Sequence, residues 1–450
     1  MQANIYIDMA HLHPTQSLGM RVRRAALCLA AGLIVAHSAA AQPGDVTRVG
    51  PTRAITTISE GVAAVAAGDV LLVDPTTYVE DVSIGKGIAI VVDGQGAVVQ
   101  GRLDVAGIPA GSQLLISGLD VVAPPGGLEC QPQPAVSVSL SRGPVHFQDC
   151  EITGATGFGS CSALALGDGG NALSISSAFD VVIQSCDLRG GVGTTGTAGL
   201  FSPPGGAGGL ALRISGRSQV TLSSSSAVGG EGGLSASGGD GGTAVLLGSS
   251  QVNETSSLYA YGSTIRGGDG GFAIDIIDGD GGDGLSTLGV GVEAWLQQCV
   301  VEGGDPGGPG FIPGEPGEPF TGSGSLNFLD GTPCTLVVPD RVAGGGSWAI
   351  RADDVGVGGE ASLLAAGQAA FRFAPTFERP LLVRWPAPGS VQYAPVASDV
   401  AGSVTYSFGP TPPPTGSDAL VVWTQMICTD ASGSTRFSEA RATVLLREGI

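Results

Sequence analysis

A repeated segment in the middle of the chain constrains its fold more than any other feature. The segments that superimpose are FQDCEITG, IQSCDLRGG, LSSSSAVGG, AYGSTIRGG and LQQCVVEGG. Each has a small residue at the same anchor position, and successive anchors are 36, 39, 38 and 36 residues apart. These anchors are Cys150, Cys186, Ser225, Ser263 and Cys299. A period of this length is typical of solenoids, in which each repeat forms one coil stacked on the next.

Alternating apolar strands precede the anchors, and glycine-rich insertions follow the last four of them. Parallel strands need a crossover, and in a solenoid the rest of the coil provides it. We therefore expect parallel strands, with each anchor about 4.8 Å from its counterpart in the next coil. The glycine surplus is concentrated from Gly190 to Gly324, where positive φ angles and close loop packing favour glycine.

The stretch before the repeats adds a family resemblance. Ile58, Val62 and Val65 share one face of a short helix, which ends at Gly68-Asp69. The run GDVLLVDPTTYVEDVSIGKGIAIVVDGQGAVVQG then resembles the opening of pectin-lyase-like right-handed parallel β-helix proteins, although Thr76 stands where that family usually has glycine. The resemblance implies an all-β fold, a right-handed parallel β-helix (solenoid) with an N-terminal capping helix.

The chain changes character near its C-terminal third. A Gly- and Pro-rich stretch from Gly303 to Gly324 is followed by short strands, such as Leu420 to Ile427, that alternate with turns. These strands predict a small β-sandwich-like domain. The segment from Trp423 to Val444 also resembles a C-terminal module of secreted planctomycete-type bacterial proteins. The predicted domains are a leader over 1–41, a β-helix with Gly-rich loops over 42–324 and an all-β domain over 325–450.

The N-terminus reads as a secretory signal peptide. Arg21, Arg23 and Arg24 form a positive region, an apolar run follows, and Ala39-Ala40-Ala41 fits a small-residue cleavage site. Met20 begins this pattern and is the expected true start. We therefore expect a secreted protein that is extracellular, at the cell surface or in the periplasm. Beyond the leader the sequence has no apolar stretch long enough for a membrane span.

Composition and charge exclude several classes. Hydrophobic residues reach 42% and charged residues only 13%, which excludes a disordered acidic polymer. The 76 glycines show no strict three-residue period along the chain, which excludes collagen. The net charge of -20 disfavours nucleic acid and anionic lipid as partners. It disfavours acidic polysaccharide too, unless a metal or a local Arg cluster intervenes, and the expected partner is a polysaccharide or a cell-surface glycan.

Disulfide bonds are allowed in an exported chain. Seven cysteines follow the leader, an odd number. The stacked neighbours Cys150 and Cys186 fall within disulfide range, so they form either a bridge or part of an internal ladder of thiols. Cys130 and Cys161 each precede the first strand of a coil and are the favoured bridge.

Acidic residues within the glycine-rich loops suggest calcium as a cofactor. Asp278, Asp280 and Asp283 are close enough in sequence to share one ion, since calcium prefers several oxygen ligands on flexible turns. The loops lack the full pattern of RTX nonapeptides and of EF-hands. The alternative is that these acids only solvate a surface loop.

Catalytic candidates are few. His146 is the single histidine beyond the leader, and strand parity turns it outward, as either a general acid or base or a plain surface histidine. Arg189 and Arg266 occupy matching positions two coils apart, either as a lyase-type base or as a cover for the turn. The chain lacks the Asn-Thr-Asp and Gly-His-Gly motifs of polygalacturonase-like enzymes, so we assign no catalytic residue.

Two classes of function follow from these residues. The first is a secreted or cell-surface non-catalytic β-helix protein with a carbohydrate-binding, adhesive or structural role. The second is a divergent polysaccharide lyase or glycoside hydrolase of the pectin-lyase-like fold. They differ in whether outward Asp, Glu and Arg side chains from neighbouring coils converge in one place.

Overall fold

A computed structural model describes residues 43–125, 132–162, 165–196, 203–248, 255–274, 276–308, 310–331, 334–343, 346–374, 379–383, 390–413 and 415–450. Within these residues the α-helix is Ile58–Ala64. Thr57 caps it by accepting a hydrogen bond from the Glu60 N–H, and its apolar face covers the first coil. The predicted capping helix is thereby confirmed. The described part of the chain contains no helix that is long and apolar enough to span a membrane.

Three parallel sheets form the solenoid, which confirms the predicted parallel β-helix. Eight coils each contribute one strand to each sheet, in the order sheet 1, sheet 2 and sheet 3, and sheet 1 has one further strand at either end. The strands of sheet 1 are Val46–Val49, Val70–Val73, Ala89–Val92, Leu114–Ser117, Val145–Gln148, Val181–Gln184, Gln219–Ser223, Ser256–Tyr261, Val292–Gln297 and Ser325–Leu329. Those of sheet 2 are Thr77–Tyr78, Ala97–Gln100, Leu119–Val122, Glu151–Thr153, Asp187–Arg189, Ser226–Val228, Thr264–Arg266 and Val300–Glu302. Those of sheet 3 are Val82–Ile84, Leu103–Ala106, Val136–Ser139, Leu173–Ser176, Leu212–Ser215, Val245–Gly248, Leu285–Leu288 and Phe320–Gly322.

The solenoid interior consists of rows of aliphatic side chains, one from each coil. In sheet 3 one such row is Val105, Val138, Ile175, Ile214 and Leu247, all fully buried. Burying one side chain of this size stabilises the folded state by about 1.5–3 kcal/mol. The alternation of buried and exposed positions seen in the sequence arises because every second side chain enters this core.

The anchor residues stack as predicted, and the structure shows why they are small and polar. In four of the five repeats a non-glycine residue with φ between 47° and 53° turns the chain from sheet 1 to sheet 2. The anchor follows directly and donates to the carbonyl two residues earlier: Cys150 Sγ lies 3.2 Å from Gln148 O, and Ser225 Oγ lies 2.7 Å from Ser223 O. A thiol or hydroxyl in this row therefore satisfies the carbonyl of a tight left-handed turn.

The glycine-rich insertions form extended limbs with a three-residue repeat. Each insertion has an outgoing limb after sheet 2 and a returning limb before sheet 3. In one outgoing limb, Gly190, Gly193 and Gly196 donate to carbonyls of the next coil, which are also three residues apart. Threefold extended backbone with hydrogen bonds only to neighbouring segments matches the polyproline II geometry. The chain therefore has local Gly-Gly-X periods although it has no continuous one.

Outgoing and returning limbs alternate in a bundle, and a relay of backbone hydrogen bonds crosses it. The N–H of each relay glycine after the first donates to the carbonyl of the relay glycine before it in the sequence, at 2.7–3.0 Å. In sequence order the members are Gly170, Gly191, Gly209, Gly230, Gly242, Gly268, Gly282, Gly304 and Gly317. At all these positions a Cβ atom would lie within 3.2 Å of a neighbouring atom, and none of them has positive φ. Close packing therefore requires these glycines, and the expectation of positive φ was wrong for them.

Aspartates at the third position of the limbs complete the hydrogen bonding. Asp269 Oδ1 accepts from the Asp305 N–H at 2.9 Å, and Asp280 Oδ1 accepts from the Glu315 N–H at 2.7 Å. In each pair the donor lies one coil beyond the acceptor. These carboxylates accept hydrogen bonds from backbone N–H groups of the neighbouring limb. The acidic residues of the limbs therefore have a structural role in addition to interacting with solvent.

The C-terminal module is the predicted sandwich. Its larger sheet has seven strands: Pro43–Gly44, Arg341–Val342, Glu360–Ala366, Val391–Gln392, Val396–Ala397, Ala419–Thr429 and Thr435–Leu446. Its smaller sheet has three: Thr335–Val337, Trp348–Asp353 and Val404–Phe408. A shared core between the sheets includes Leu336, Ile350, Leu363 and Met426. Two hairpins, Ser160–Ser162 with Ala165–Leu166 and Ala369–Ala374 with Arg379–Val383, complete the described strands.

The seven-stranded sheet also packs on the solenoid, against the outer face of sheet 1. A second apolar cluster joins Val70, Ala89 and Leu115 of the solenoid to Trp423 and Val444 of the module. This contact explains why several strands of sheet 1, such as the run VLLV, are buried on both faces. The outer faces of sheets 2 and 3 retain exposed positions.

Candidate functional site

The structure places His146 on the outward side of its strand, as parity predicts, but not at the surface. Its neighbours Val145 and Phe147 enter the solenoid core, while the imidazole lies 4.7 Å from the ring of Trp423. Only 1% of the residue is exposed. The expectation of a surface histidine was wrong, because the C-terminal module covers this face.

Burial also removes His146 from acid–base chemistry. Desolvation lowers the pKa of the imidazole to about 3, with a smaller contribution from the charge of Arg441. Asp149, a nearby carboxylate, is bound instead by Arg441, with 2.7 Å between Arg441 Nη2 and Asp149 Oδ1. These groups belong to the contact between solenoid and module.

The stacked cysteines are likewise structural. Cys150 and Cys186 are buried thiols rather than a bridge. The hydrogen bond with Cys186, followed by desolvation, raises the pKa of Cys150 well above its usual range. A thiol held in its protonated form inside the core is a poor nucleophile.

The favoured bridge of Cys130 and Cys161 stays a prediction, since Cys130 lies outside the described residues. The structure contains a different disulfide, Cys334–Cys428, in the core of the C-terminal module. Its two cysteines are 94 residues apart and carry no mutual sequence signal.

The three calcium candidates lie on one returning limb, and their carboxylates accept hydrogen bonds from the protein itself. Asp280 and Asp283 bond the amides of Glu315 and Glu318 in the next coil. Asp278 is buried and bonds amides of two loops. Within the described residues no three His, Cys, Asp or Glu side chains are grouped as metal ligands. Calcium binding here stays a prediction, which a calorimetric calcium titration would test.

Outward side chains do converge on the outer face of sheet 2. Asp120, Glu151 and Asp187 occupy the same row in three successive coils. Adjacent strands are about 4.8 Å apart, so this carboxylate row spans about 10 Å along the solenoid. Ser226 and Thr264 continue the same row over the next two coils. Sequence reasoning missed the row, although Glu151 and Asp187 each directly follow a repeat anchor.

The carboxylate row combines partial burial with like charges. The Asp120 carboxylate accepts from the Glu151 N–H at 2.9 Å, whereas Glu151 is exposed. Desolvation raises the pKa of Asp120, and the hydrogen bond from Glu151 opposes this only in part. Carboxylates directly opposite each other on neighbouring strands repel. Asp120 and Glu151 therefore offer hydrogen-bond acceptors for a ligand that brings hydroxyl or amine donors, while the Asp187 carboxylate is bound by Arg189.

Two arginines lie in matching positions two coils apart, Arg189 in the coil of Asp187 and Arg266 in the coil of Thr264. Arg189 Nη2 lies 2.5 Å from Asp187 Oδ2, and this hydrogen bond raises the arginine's pKa. Arg266 binds Asp269 at 2.6 Å and Asp305 at 3.1 Å. Burial lowers its pKa, but these two carboxylates outweigh burial and the net pKa is raised. Neither arginine is tuned to lose a proton, and Arg266 covers the start of a glycine limb.

Comparisons with known proteins identify no family for this chain. No family model and no curated protein matches it. Similar solved structures include pectin methylesterase from carrot, with a TM-score of 0.30, 14% identity and coverage of 57% of this chain and 82% of that one. The enzymatically active domain of tailspike protein 2 from bacteriophage CBA120 has a TM-score of 0.23 at 10% identity, covering 84% and 72%. A mutant periplasmic alginate epimerase has a TM-score of 0.15 at 9% identity, covering 58% and 77%. At these TM-scores the function has to be argued from the residues of this chain.

Proposed function

We propose that this chain is a secreted or cell-surface β-helix protein that binds an extended polysaccharide along the outer face of sheet 2, without catalysis. The observation that carries the proposal is the row Asp120, Glu151, Asp187, Ser226 and Thr264, which repeats a polar side chain in five successive coils. A polymer of repeated hydroxyl-bearing units presents donors and acceptors along its length. A regular row of carboxylate and hydroxyl groups complements such a ligand.

Charge limits the class of polysaccharide. The net charge of -20 and three stacked carboxylates repel polymers of uronic acids. Neutral glycans, whose hydroxyl groups donate to carboxylates, fit the row best. Arg189 adds hydrogen-bond donors at one edge of the row. It lies close enough to Glu151 that the negative charge of Glu151 contributes to the raised pKa of Arg189.

The groups that the sequence offered for imidazole, thiolate and arginine chemistry are all engaged elsewhere in the fold, which supports a binding role. His146 is buried and neutral, Cys150 and Cys186 are core thiols, and the two arginines next to the row are fully charged. None of these five groups is suited to the imidazole, thiolate or arginine-base chemistry that the sequence left open.

Export is supported by two observations. The signal-like segment from Met20 to Ala41 lies outside the described residues but has the order of features that secretion requires. The C-terminal module contains the disulfide Cys334–Cys428, and such bonds persist mainly in oxidising compartments.

One observation favours hydrolysis as a second candidate. Asp120, whose pKa burial raises, stands beside the exposed Glu151, and glycosidases use a pair of carboxyl groups of which one is a protonated acid. Under this alternative Asp120 would be the acid and Glu151 or Asp187 its partner.

Affinity electrophoresis in gels that contain neutral or uronate polysaccharides tests the proposal. We expect retardation by a neutral polymer, a loss of at least tenfold in affinity for Glu151→Gln, and none for the matched control Glu231→Gln on a glycine limb. Reaction mixtures analysed by chromatography should contain no new oligosaccharides. If the wild type releases oligosaccharides and the Asp120→Asn variant does not, the function is hydrolysis rather than binding alone. If no neutral polymer retards the wild-type protein, both the binding and the hydrolysis hypotheses are overturned.

A further inference from the structure

The ends of two glycine-limb pairs carry a group of exposed apolar side chains. Phe272, Ile274, Ile276 and Ile277 lie where one outgoing limb turns into its returning limb, and Phe311 and Ile312 lie at the same place in the next coil. We call these six residues the apolar tip. Phe311 is 89% exposed and Phe272 is 54% exposed. This surface is separate from the face of sheet 2 to which we assign polysaccharide binding.

The two loops of the apolar tip are joined to each other. Ile277 and Ile312 form a parallel bridge, and the Ile312 N–H donates to Ile276 O at 3.0 Å. The Phe272 ring lies over Gly308, where a Cβ atom would collide with the ring. The two loops that carry the six side chains are therefore held side by side, so the exposed apolar residues are grouped at one place on the solenoid.

A buried carboxylate fixes this arrangement. Asp278 is 2% exposed, its Oδ1 accepts from the Ala273 N–H at 2.9 Å, and its Oδ2 accepts from the Gly310 N–H at 2.5 Å. Both loops are thus tied to one side chain, and charge-assisted bonds of this kind are strong. A preformed loop loses little conformational entropy on binding.

The size and surroundings of the tip indicate a binding surface. At about 200 Å² for each fully exposed large side chain, the six expose roughly 600 Å² together. Contiguous apolar patches of this size on a soluble protein mark interaction sites. Exposed acids lie on the limbs of these loops and on neighbouring limbs, and we call them the acidic rim: Glu231, Asp240, Asp280, Asp305 and Glu315, of which Asp305 also binds Arg266.

We propose that the apolar tip docks a partner protein whose contact surface has an apolar centre surrounded by lysine and arginine. An apolar centre with a complementary charged rim is the usual arrangement of a specific interface. The acidic rim disfavours a second copy of this chain, because the two rims would face each other, and it disfavours anionic membranes.

A binding titration with designed peptides tests the proposal on the full chain. The probe is a labelled amphipathic helix of Leu and Lys, compared with a Leu/Glu helix and a Ser/Lys helix of the same length. We expect the Leu/Lys peptide to bind at least tenfold more tightly than either comparison peptide. The double substitution Phe311→Ser with Phe272→Ser should weaken binding of the Leu/Lys peptide at least tenfold. The control Phe179→Ser changes another exposed aromatic residue, just before the sheet 1 strand Val181–Gln184, and should leave the binding unchanged.

Folding of the variants is checked by thermal melting, and Phe311→Ser alone gives a fallback because that side chain is almost fully exposed. Asp278→Ala should also weaken binding, since it releases the two loops. Equal binding of the Leu/Lys peptide to wild type and tip variants would overturn the proposal. So would tip-dependent self-association in sedimentation velocity, or tip-dependent binding to phosphatidylcholine vesicles, since a second copy or a lipid surface would then be the occupant.

Discussion

The substitution Gly230→Ala tests whether close packing of the limbs requires glycine at the relay positions. The new Cβ atom would lie 1.9 Å from Gly191 O, whereas real Cβ atoms essentially never come within 3.0 Å of a neighbour. Backbone must therefore move by more than 1 Å. The movement disturbs two hydrogen bonds of 2.8 Å, from Gly230 N–H to Gly209 O and from Gly242 N–H to Gly230 O.

The magnitude follows from these contacts. Overpacking costs about 1–3 kcal/mol. Each hydrogen bond that is lost costs roughly 1 kcal/mol more. The free energy of unfolding should therefore fall by about 3–5 kcal/mol, which for a chain of this size lowers the apparent Tm by roughly 3–5 °C.

The matched control is Gly248→Ala, a glycine in sheet 3 whose Cβ would meet its nearest atom at 3.9 Å and whose φ is not positive. Its Tm should stay within about 2 °C of the wild type, because alanine fits there without strain. Thermal melts followed by circular dichroism measure both variants, and amide hydrogen exchange should show protection lost in the limbs of Gly230→Ala. Equal Tm values for the two variants would refute the inference that close packing requires the relay glycines.

Three further predictions concern stability. Removing the disulfide by Cys334→Ser with Cys428→Ser opens a 94-residue loop and should cost about 4–5 kcal/mol, seen as a lower Tm that no longer responds to reductant; an unchanged Tm would contradict it. Burial raises the pKa of Asp180 to about 6, so stability present below about pH 4 is lost as pH rises to about 6. Asp180→Asn should then melt above wild type at pH 7.5, with a difference that disappears near pH 4; a difference independent of pH would argue against this cause. His146, whose pKa burial lowers to about 3, gives stability above about pH 6.5 that is lost as pH falls toward 3. Between pH 6.5 and 4 the Tm of His146→Phe should fall less than the Tm of the wild type. If the two Tm values fall equally with pH, the reasoning is contradicted.

The solenoid could be predicted because its information is local. The inward alternation involves residues within one strand, and the anchor spacing relates only neighbouring coils, so stacking repeats the same environment. The same locality explains why Cys150 and Ser225 could be placed in one row before any contact was known.

The surroundings of outward residues could not be predicted in the same way. Parity gives the direction of His146 but not the module that covers it, about 280 residues later in the chain. A signal was nevertheless present: the strand Val70–Val73 is apolar at every position, which indicates burial on both faces. The bridge Cys334–Cys428 had no local signal of this kind, because the sequence alone does not show which cysteines of a set pair with each other.

The candidate site was foreseen only in part. The sequence placed Arg189 and Arg266 two coils apart, and the structure agrees. The carboxylate row depends on Asp120 as well, and Asp120 precedes the clear repeats, so its register with Glu151 became visible only from the strand pairing.

The glycine bundle has a consequence for the response of this protein to temperature. Its limbs are held by backbone hydrogen bonds, with little aliphatic surface between them. Exposure of polar surface lowers the heat capacity of unfolding, whereas exposure of apolar surface raises it. The bundle should therefore contribute little to the curvature of stability with temperature. The aliphatic solenoid weakens on cooling, but the limbs should keep their strength in the cold.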